Sequence, residues 1–168
     1  PVIQKSEVYK EYVPDFLLIY GKWWESQISI PTEAIVIGNP HYEEMKKKLG
    51  TGTVCKDKIL VISDGDRFDL FFKLAQEIRQ QTEGKFEIFV RPHPAERKFA
   101  LERFAHEDET ITIDVSQNLY ERLAESYAVV GEISTVLFEA IGLADRIFTK
   151  KSAINQFTLP DCPFESFE

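Results

Sequence analysis

Two rhythms of apolar and polar positions run along the chain: short blocks of consecutive apolar residues, and longer stretches where apolar residues recur every three or four. Ile59-Leu60-Val61-Ile62 is a block of the first kind, the signature of a strand buried on both faces. Phe68, Phe71, Phe72, Ala75 and Ile78 follow it at the 3.6 period and predict a helix with one apolar face, with Asp66 as its N-cap. The alternation then repeats. Phe86 to Val90 reads as a strand, and the helix after it carries Phe99 and Phe104. Thr110 to Ile113 reads as another, with Ser116 placed to cap a helix that buries Leu119 and Leu123. Ala128 to Gly131 and Arg146 to Thr149 complete the set, with a helix from about Thr135 to Leu143 between them. Five strands alternating with four helices predict an α/β domain, a doubly wound, mainly parallel sheet covered on both faces and joined by right-handed crossovers.

The first fifty residues follow a different plan. Phe16 to Tyr20 reads as a short buried strand stopped by Gly21, and Ala34 to Ile37 as a second, ended by the turn signal Gly38-Asn39-Pro40. His41 to Leu49 reads as a lysine-rich helix, with His41 solvated on its turn, and Gly50-Thr51-Gly52-Thr53 as a flexible joint. The boundary is therefore placed at this joint, giving segments 1–50 and 51–168. Trp23 and Trp24, adjacent just after the first strand, either cover the segment's own core or mark a contact surface for another domain.

Composition narrows the function. At 168 residues and 43% hydrophobic content the chain can build a cored domain, and a net charge of -8 excludes a general nucleic-acid binder, which needs a basic face. Any phosphate site must be local. Cys55 and Cys162 form no C-x-x-C pair, which points to a reducing, cytoplasmic compartment and to no zinc site. No apolar run approaches the roughly 18 residues of a membrane span. The opening on Pro1, without a start methionine, reads as a piece cut from something longer.

In a doubly wound sheet the ligand lies beyond the carboxyl ends of the strands, where strand order reverses. The expected order 3-2-1-4-5 brings three loops to one crevice: Ser63-Asp64-Gly65-Asp66, Arg91-Pro92-His93-Pro94 and Glu132-Ile133-Ser134-Thr135. The stiff His93-Pro94 loop at a helix start either holds a phosphate, with Arg91 or Arg97 adding charge, or merely turns the chain with His93 as a cap. A phosphate beside His93 would favour its doubly protonated ring. Ser134 and Thr135 either offer hydroxyls and free N–H groups to the same anion or cap their own helix. Glu139, four residues beyond Thr135 and on the same face, suits the hydroxyls of a ribose, or is simply solvated. Gly65 permits close approach of a ligand. Neither G-x-G-x-x-G nor G-K-[ST] is present, which disfavours a hydride-transfer dinucleotide fold and a P-loop. His106, on a polar helix end, is expected to face solvent.

Taken together, these motifs resemble the Rossmann-like donor-binding half of GT-B-type bacterial glycosyltransferases. The nearest likeness is to the sialyltransferase and polysialyltransferase group, with related capsule enzymes and CDP-glycerol glycerophosphotransferases. Asp64-Gly65 is similar to the end of that group's acidic-acidic-Gly motif, His93-Pro94 to its His-Pro motif, and Ser134-Thr135 to its paired hydroxyl motif. Ser63 stands where the first acidic residue would be. The resemblance implies that Arg91, His93, Pro94, Ser134, Thr135 and Gly65 surround the nucleotide phosphate of a CMP- or CDP-linked donor, that Glu139 holds ribose, and that Asp64 is a candidate catalytic group. It implies no metal and no resident cofactor. The glycan acceptor would bind through an N-terminal domain of which residues 1–50 are the tail and linker, in an enzyme working at the inner face of the membrane. Two alternatives stay open: a UDP-sugar transferase or epimerase-like domain, and a non-catalytic partner-binding module.

Overall fold

The computed structural model describes residues 11–49, 55–158 and 162–167, without the Phe157 side chain; the joint at residues 50–53 lies outside the described residues. The chain divides into two compact units, residues 1–48 and 49–168. In the first, β1 (Phe16–Ile19) and β2 (Glu33–Val36) pair in parallel around α1 (Lys22–Gln27). Next, α2 (Pro40–Leu49) starts on Asn39, whose side chain accepts the Tyr42 N–H at 3.1 Å, with proline at the first helical position. The strand expected to be buried is not. Only Ile19 of β1 is buried, while Phe16 and Leu18 are 57% and 60% exposed. Trp23 and Trp24 are half-buried and meet edge to face at 4.8 Å.

The second unit carries the predicted rhythm. It runs through β3 (Lys58–Ile62), α3 (Phe68–Gln81), β4 (Glu87–Arg91), a 3₁₀ turn (Pro94–Glu96), α4 (Arg97–Phe104) and β5 (Ile111–Ile113). It continues through α5 (Leu119–Ala124), β6 (Ser126–Gly131), α6 (Val136–Glu139), β7 (Arg146–Lys150), α7 (Ala153–Thr158) and β8 (Glu165–Phe167). All six strands are parallel, in the order β5-β4-β3-β6-β7-β8. This is the expected reversal at the first strand of the unit, extended by a sixth strand. Leu60 at the centre of β3 lies level with Phe89 of β4 and Val129 of β6. Its neighbour Val61 is, like it, fully buried.

Three local expectations are corrected. Asp66 does not cap α3; the N-cap is Arg67, with no side-chain cap bond. Ser116 does not cap α5; Asn118 does, accepting the Glu121 N–H at 3.4 Å, because Ser116 is bonded to Arg91. The helix expected over 135–143 is one turn, Val136–Glu139, and the chain leaves through turns that place Gly142 at φ +76°. Phe99 stays half-exposed on α4, stacked edge-on against buried Phe104. Among the described residues no helix is long and apolar enough to cross a membrane.

One face of the sheet is packed by the aromatic side of α3. Phe72 and Phe68 lie 4.9 and 5.3 Å from the ring of Phe104, locking α3 to α4 over β3 and β4. Truncating such a side chain loses its transfer free energy and leaves a cavity. Phe72→Ala is expected to lower the unfolding free energy by about 3–5 kcal/mol in denaturant titration.

Candidate functional site

Strand order reverses at β3 and β6, so the loops leaving these strands border the crevice of a doubly wound sheet. The first, residues 63–67, touches both of its neighbours. Ser63 is buried and donates its hydroxyl to Glu96 Oε2 at 2.6 Å, across to the loop after β4. Gly65 takes φ +119°, a conformation that favours glycine, and a Cβ there would sit 3.4 Å from the ring of His93. Arg67 turns the other way. Its Nη2 donates to Asp64 and, at 2.7 Å, to Glu132 Oε2 in the loop after β6.

The His-Pro loop is fastened from within. Pro92 is buried and His93 exposed. Glu96, only 6% exposed, accepts the His93 N–H at 3.1 Å with the same oxygen that takes Ser63. The Ala95 N–H donates to His93 Nδ1 at 3.3 Å, which puts the ring proton on Nε2. That nitrogen has no bond among the described residues. His93 thus does cap its turn, and the cap leaves one donor over.

Two carboxylates lie beneath Arg67. The side chains of Asp64 and Glu132 are 3% and 1% exposed, and Asp64 Oδ1 and Glu132 Oε1 have no partner among the described residues. Burial pushes the Asp64 carboxyl above its ordinary value, outweighing the lowering effect of Arg67. The Glu132 backbone is held from further along the chain. Its carbonyl accepts from Thr149 Oγ1 at 2.9 Å and from Asn155 Nδ2 at 2.7 Å.

Other residues singled out from the sequence lie apart from this cluster or are otherwise engaged. Arg91 donates to Asp114 at 2.6 Å and to the side chain and carbonyl of Ser116 at 3.1 and 3.0 Å, so it braces the loop after β5. Burial opposes ionisation of Asp114, but the bonds from Ser116 and Arg91 prevail and hold its carboxyl below the ordinary value. Arg97 keeps a buried Nε with no partner among the described residues. Ser134 Oγ accepts the Val136 N–H at 3.3 Å, an ordinary cap, while exposed Thr135 makes no side-chain cap bond. Because α6 is one turn long, its dipole is small. Glu139 accepts the Tyr120 hydroxyl at 2.5 Å, tying α6 to α5. His41 and His106 are exposed.

Hydrogen bonds therefore tie the loop of Asp64 and Gly65 to the His93 loop through Ser63 and Glu96, and to the Ser134-Thr135 loop through Arg67 and Glu132, while Gly65 lies beside the His93 ring without bonding to it. Glu96, Arg67, Glu132 and Asn155 were not singled out as site residues in the sequence. Glu96 did leave a trace there: His93-x-x-Glu96 has the spacing of a capping box, with histidine in place of serine or threonine.

No family model matches the chain, and no curated protein matches it. Among solved structures it is similar to Thermosulfurimonas dismutans KpsC, a beta Kdo 2,4 transferase, with 16% identity and a TM-score of 0.44. The match covers 67% of this chain and 46% of that one, so the chain spans less than half of that protein's length.

Two outcomes follow from these charges. Arg67→Met leaves Asp64 and Glu132 buried without their cation and is expected to cost about 3–5 kcal/mol at neutral pH. Because burial raises the Asp64 carboxyl, the folded state holds that proton more tightly, so the deficit narrows as pH falls and Asp64 protonates. Asp114 has the opposite sign. Its contribution is complete above the unfolded value near 3.8 and is lost as pH falls through the lower folded value. Asp114→Asn is expected to cost about 2 kcal/mol at pH 7, a difference that shrinks below about pH 4 in acid-series denaturant titrations.

Proposed function

We propose that residues 49–168 are the nucleotide-sugar-binding half of a glycosyltransferase for bacterial surface polysaccharide, with a CMP- or CDP-linked donor. What carries the reading is His93, an exposed ring at the carboxyl edge of the sheet whose Nδ1 is occupied and whose Nε2–H is left to donate. In this reading Nε2–H meets a phosphate oxygen of the donor, Gly65 and Pro94 allow close approach, and the hydroxyls of Ser134 and Thr135 add donors. Charge developing on the leaving nucleotide is met by oriented dipoles. Arg91 drops out of the phosphate set, since Asp114 and Ser116 already occupy its guanidinium. Glu139, with one oxygen on Tyr120, offers the other to a ribose. Asp64 is too covered to reach an acceptor hydroxyl, so the group that activates the acceptor belongs to the other wall of the cleft. Such an enzyme draws its donor from the cytoplasm and works at the inner face of the membrane.

One observation favours the rival reading of a partner-binding module: Phe16, Leu18 and Tyr20 in the first unit are all more than half exposed. A thermal-shift panel of CMP, CDP, UMP and UDP separates the readings. A rise in melting temperature with cytidine nucleotides, and an affinity about tenfold or more weaker in His93→Ala, is the expected outcome. A response to uridine nucleotides alone would favour the UDP-sugar alternative, and no response to any nucleotide would favour the module.

A further inference from the structure

We propose that Glu96, gripped by Ser63, is a positioning residue that fixes the ring of His93 as an Nε2–H donor. Glu96 joins two loops through one oxygen, while its other, Oε1, is buried with no partner among the described residues. Glu96 Oε2 accepts both the Ser63 hydroxyl at 2.6 Å and the His93 N–H at 3.1 Å. The first bond ties the end of β3 to the loop after β4, and the second folds that loop onto the start of its own 3₁₀ turn. With the backbone so pinned, the Ala95 N–H falls on Nδ1, and the ring packs against the glycine at 65. The Ser63–Glu96 bond is buried, so water does not compete for it.

This grip also gives Ser63 its reason. An acidic residue at 63 would set a second carboxyl against Glu96 in a buried place, where one of the two would have to stay protonated. A hydroxyl instead supplies the donor that Glu96 needs. Glu96 is too covered to touch a ligand and acts through His93 alone.

The consequence for nucleotide affinity rests on the function proposed above; the fixing of the ring does not. Both are read from the whole chain, by nitrogen-edited NMR of the histidine rings alongside titration with CMP and CDP. In the wild type, His93 is expected as the Nε2–H form, with a nuclear Overhauser contact between its ring and the α-protons of Gly65. Glu96→Ala is expected to lose that contact, to mix the two tautomers and to bind about tenfold more weakly. Glu96→Gln keeps an acceptor oxygen and should restore the ring signals, while Ser63→Ala, which removes one bond, should shift them part of the way. Leu123→Ala, a core truncation in α5, should leave the ring as it is.

Unchanged ring signals in both Ser63→Ala and Glu96→Ala would overturn the proposal, as would an equal change in Leu123→Ala. If Glu96→Ala does not fold, Ser63→Ala decides alone, and an unaltered ring refutes it. If the wild type binds neither nucleotide, the cytidine-donor reading fails, while the ring signals still decide the role of Glu96.

Discussion

Arg67 stands between two carboxylates that the sheet has withdrawn from water, and the carboxyl edge of the sheet keeps its form because of that contact. Moving Asp64 and Glu132 out of water costs several kcal/mol each, and only a cation within hydrogen-bonding reach of both offsets it. Guanidinium suits the task, since its fork addresses both partners and it never gives up its proton. Burial raises the Asp64 carboxyl, and the excess of negative charge that one cation leaves on two carboxyls adds a smaller push the same way. The loop that carries Arg67 is thereby fixed at one end by ion pairing, and at the other by the Ser63 hydroxyl on Glu96.

This division of the edge shapes what it can bind. Asp64 and Glu132 bring carboxyl groups and their shared Arg67 to the loops after β3 and β6, whereas His93 and Thr135 are exposed side chains that can donate N–H and O–H bonds. An anion at either side chain would be held by directed N–H or O–H bonds rather than by a cluster of arginines and lysines. Such bonding releases an anion more readily than a strongly basic site does. It also accords with a chain whose charge is strongly negative overall, since local donors do not depend on the sign of the surrounding surface.

The parts that could be read in the sequence were those whose signal is local. Ile59 to Ile62 and Ile88 to Val90 announce strands because each is an unbroken apolar block, and Phe68, Phe71 and Phe72 announce a helix by their spacing. By contrast, β8 was missed, because three residues with a single large apolar side chain make no block. Gly65 and His93 could be picked out as neighbouring candidates because each follows a strand end, a local pattern, and the two do lie side by side. Glu96 and Glu132 draw their meaning from partners 33 and 65 residues away, Ser63 and Arg67, and the amide of Asn155 meets the Glu132 carbonyl 23 residues back. No window along the chain contains such pairs. Misreading Arg91 has the same origin: an arginine at a strand end looks like an anion binder until Asp114, 23 residues later, claims it.

The grip on Glu132 by Thr149 and Asn155 bears on the order in which the chain becomes native during synthesis. Strand β3 leaves the ribosome with β4 close behind it, so half of its hydrogen-bonding edge is paired early. Its other edge waits for β6, and the Glu132 carbonyl waits longer still, for β7 and α7. Until then Asp64 and Arg67 remain hydrated, and the reversal point of the sheet is open. By chain order the crevice is completed only after β7 and α7 have been made, so a ligand settling there during synthesis would act late in folding rather than at its start.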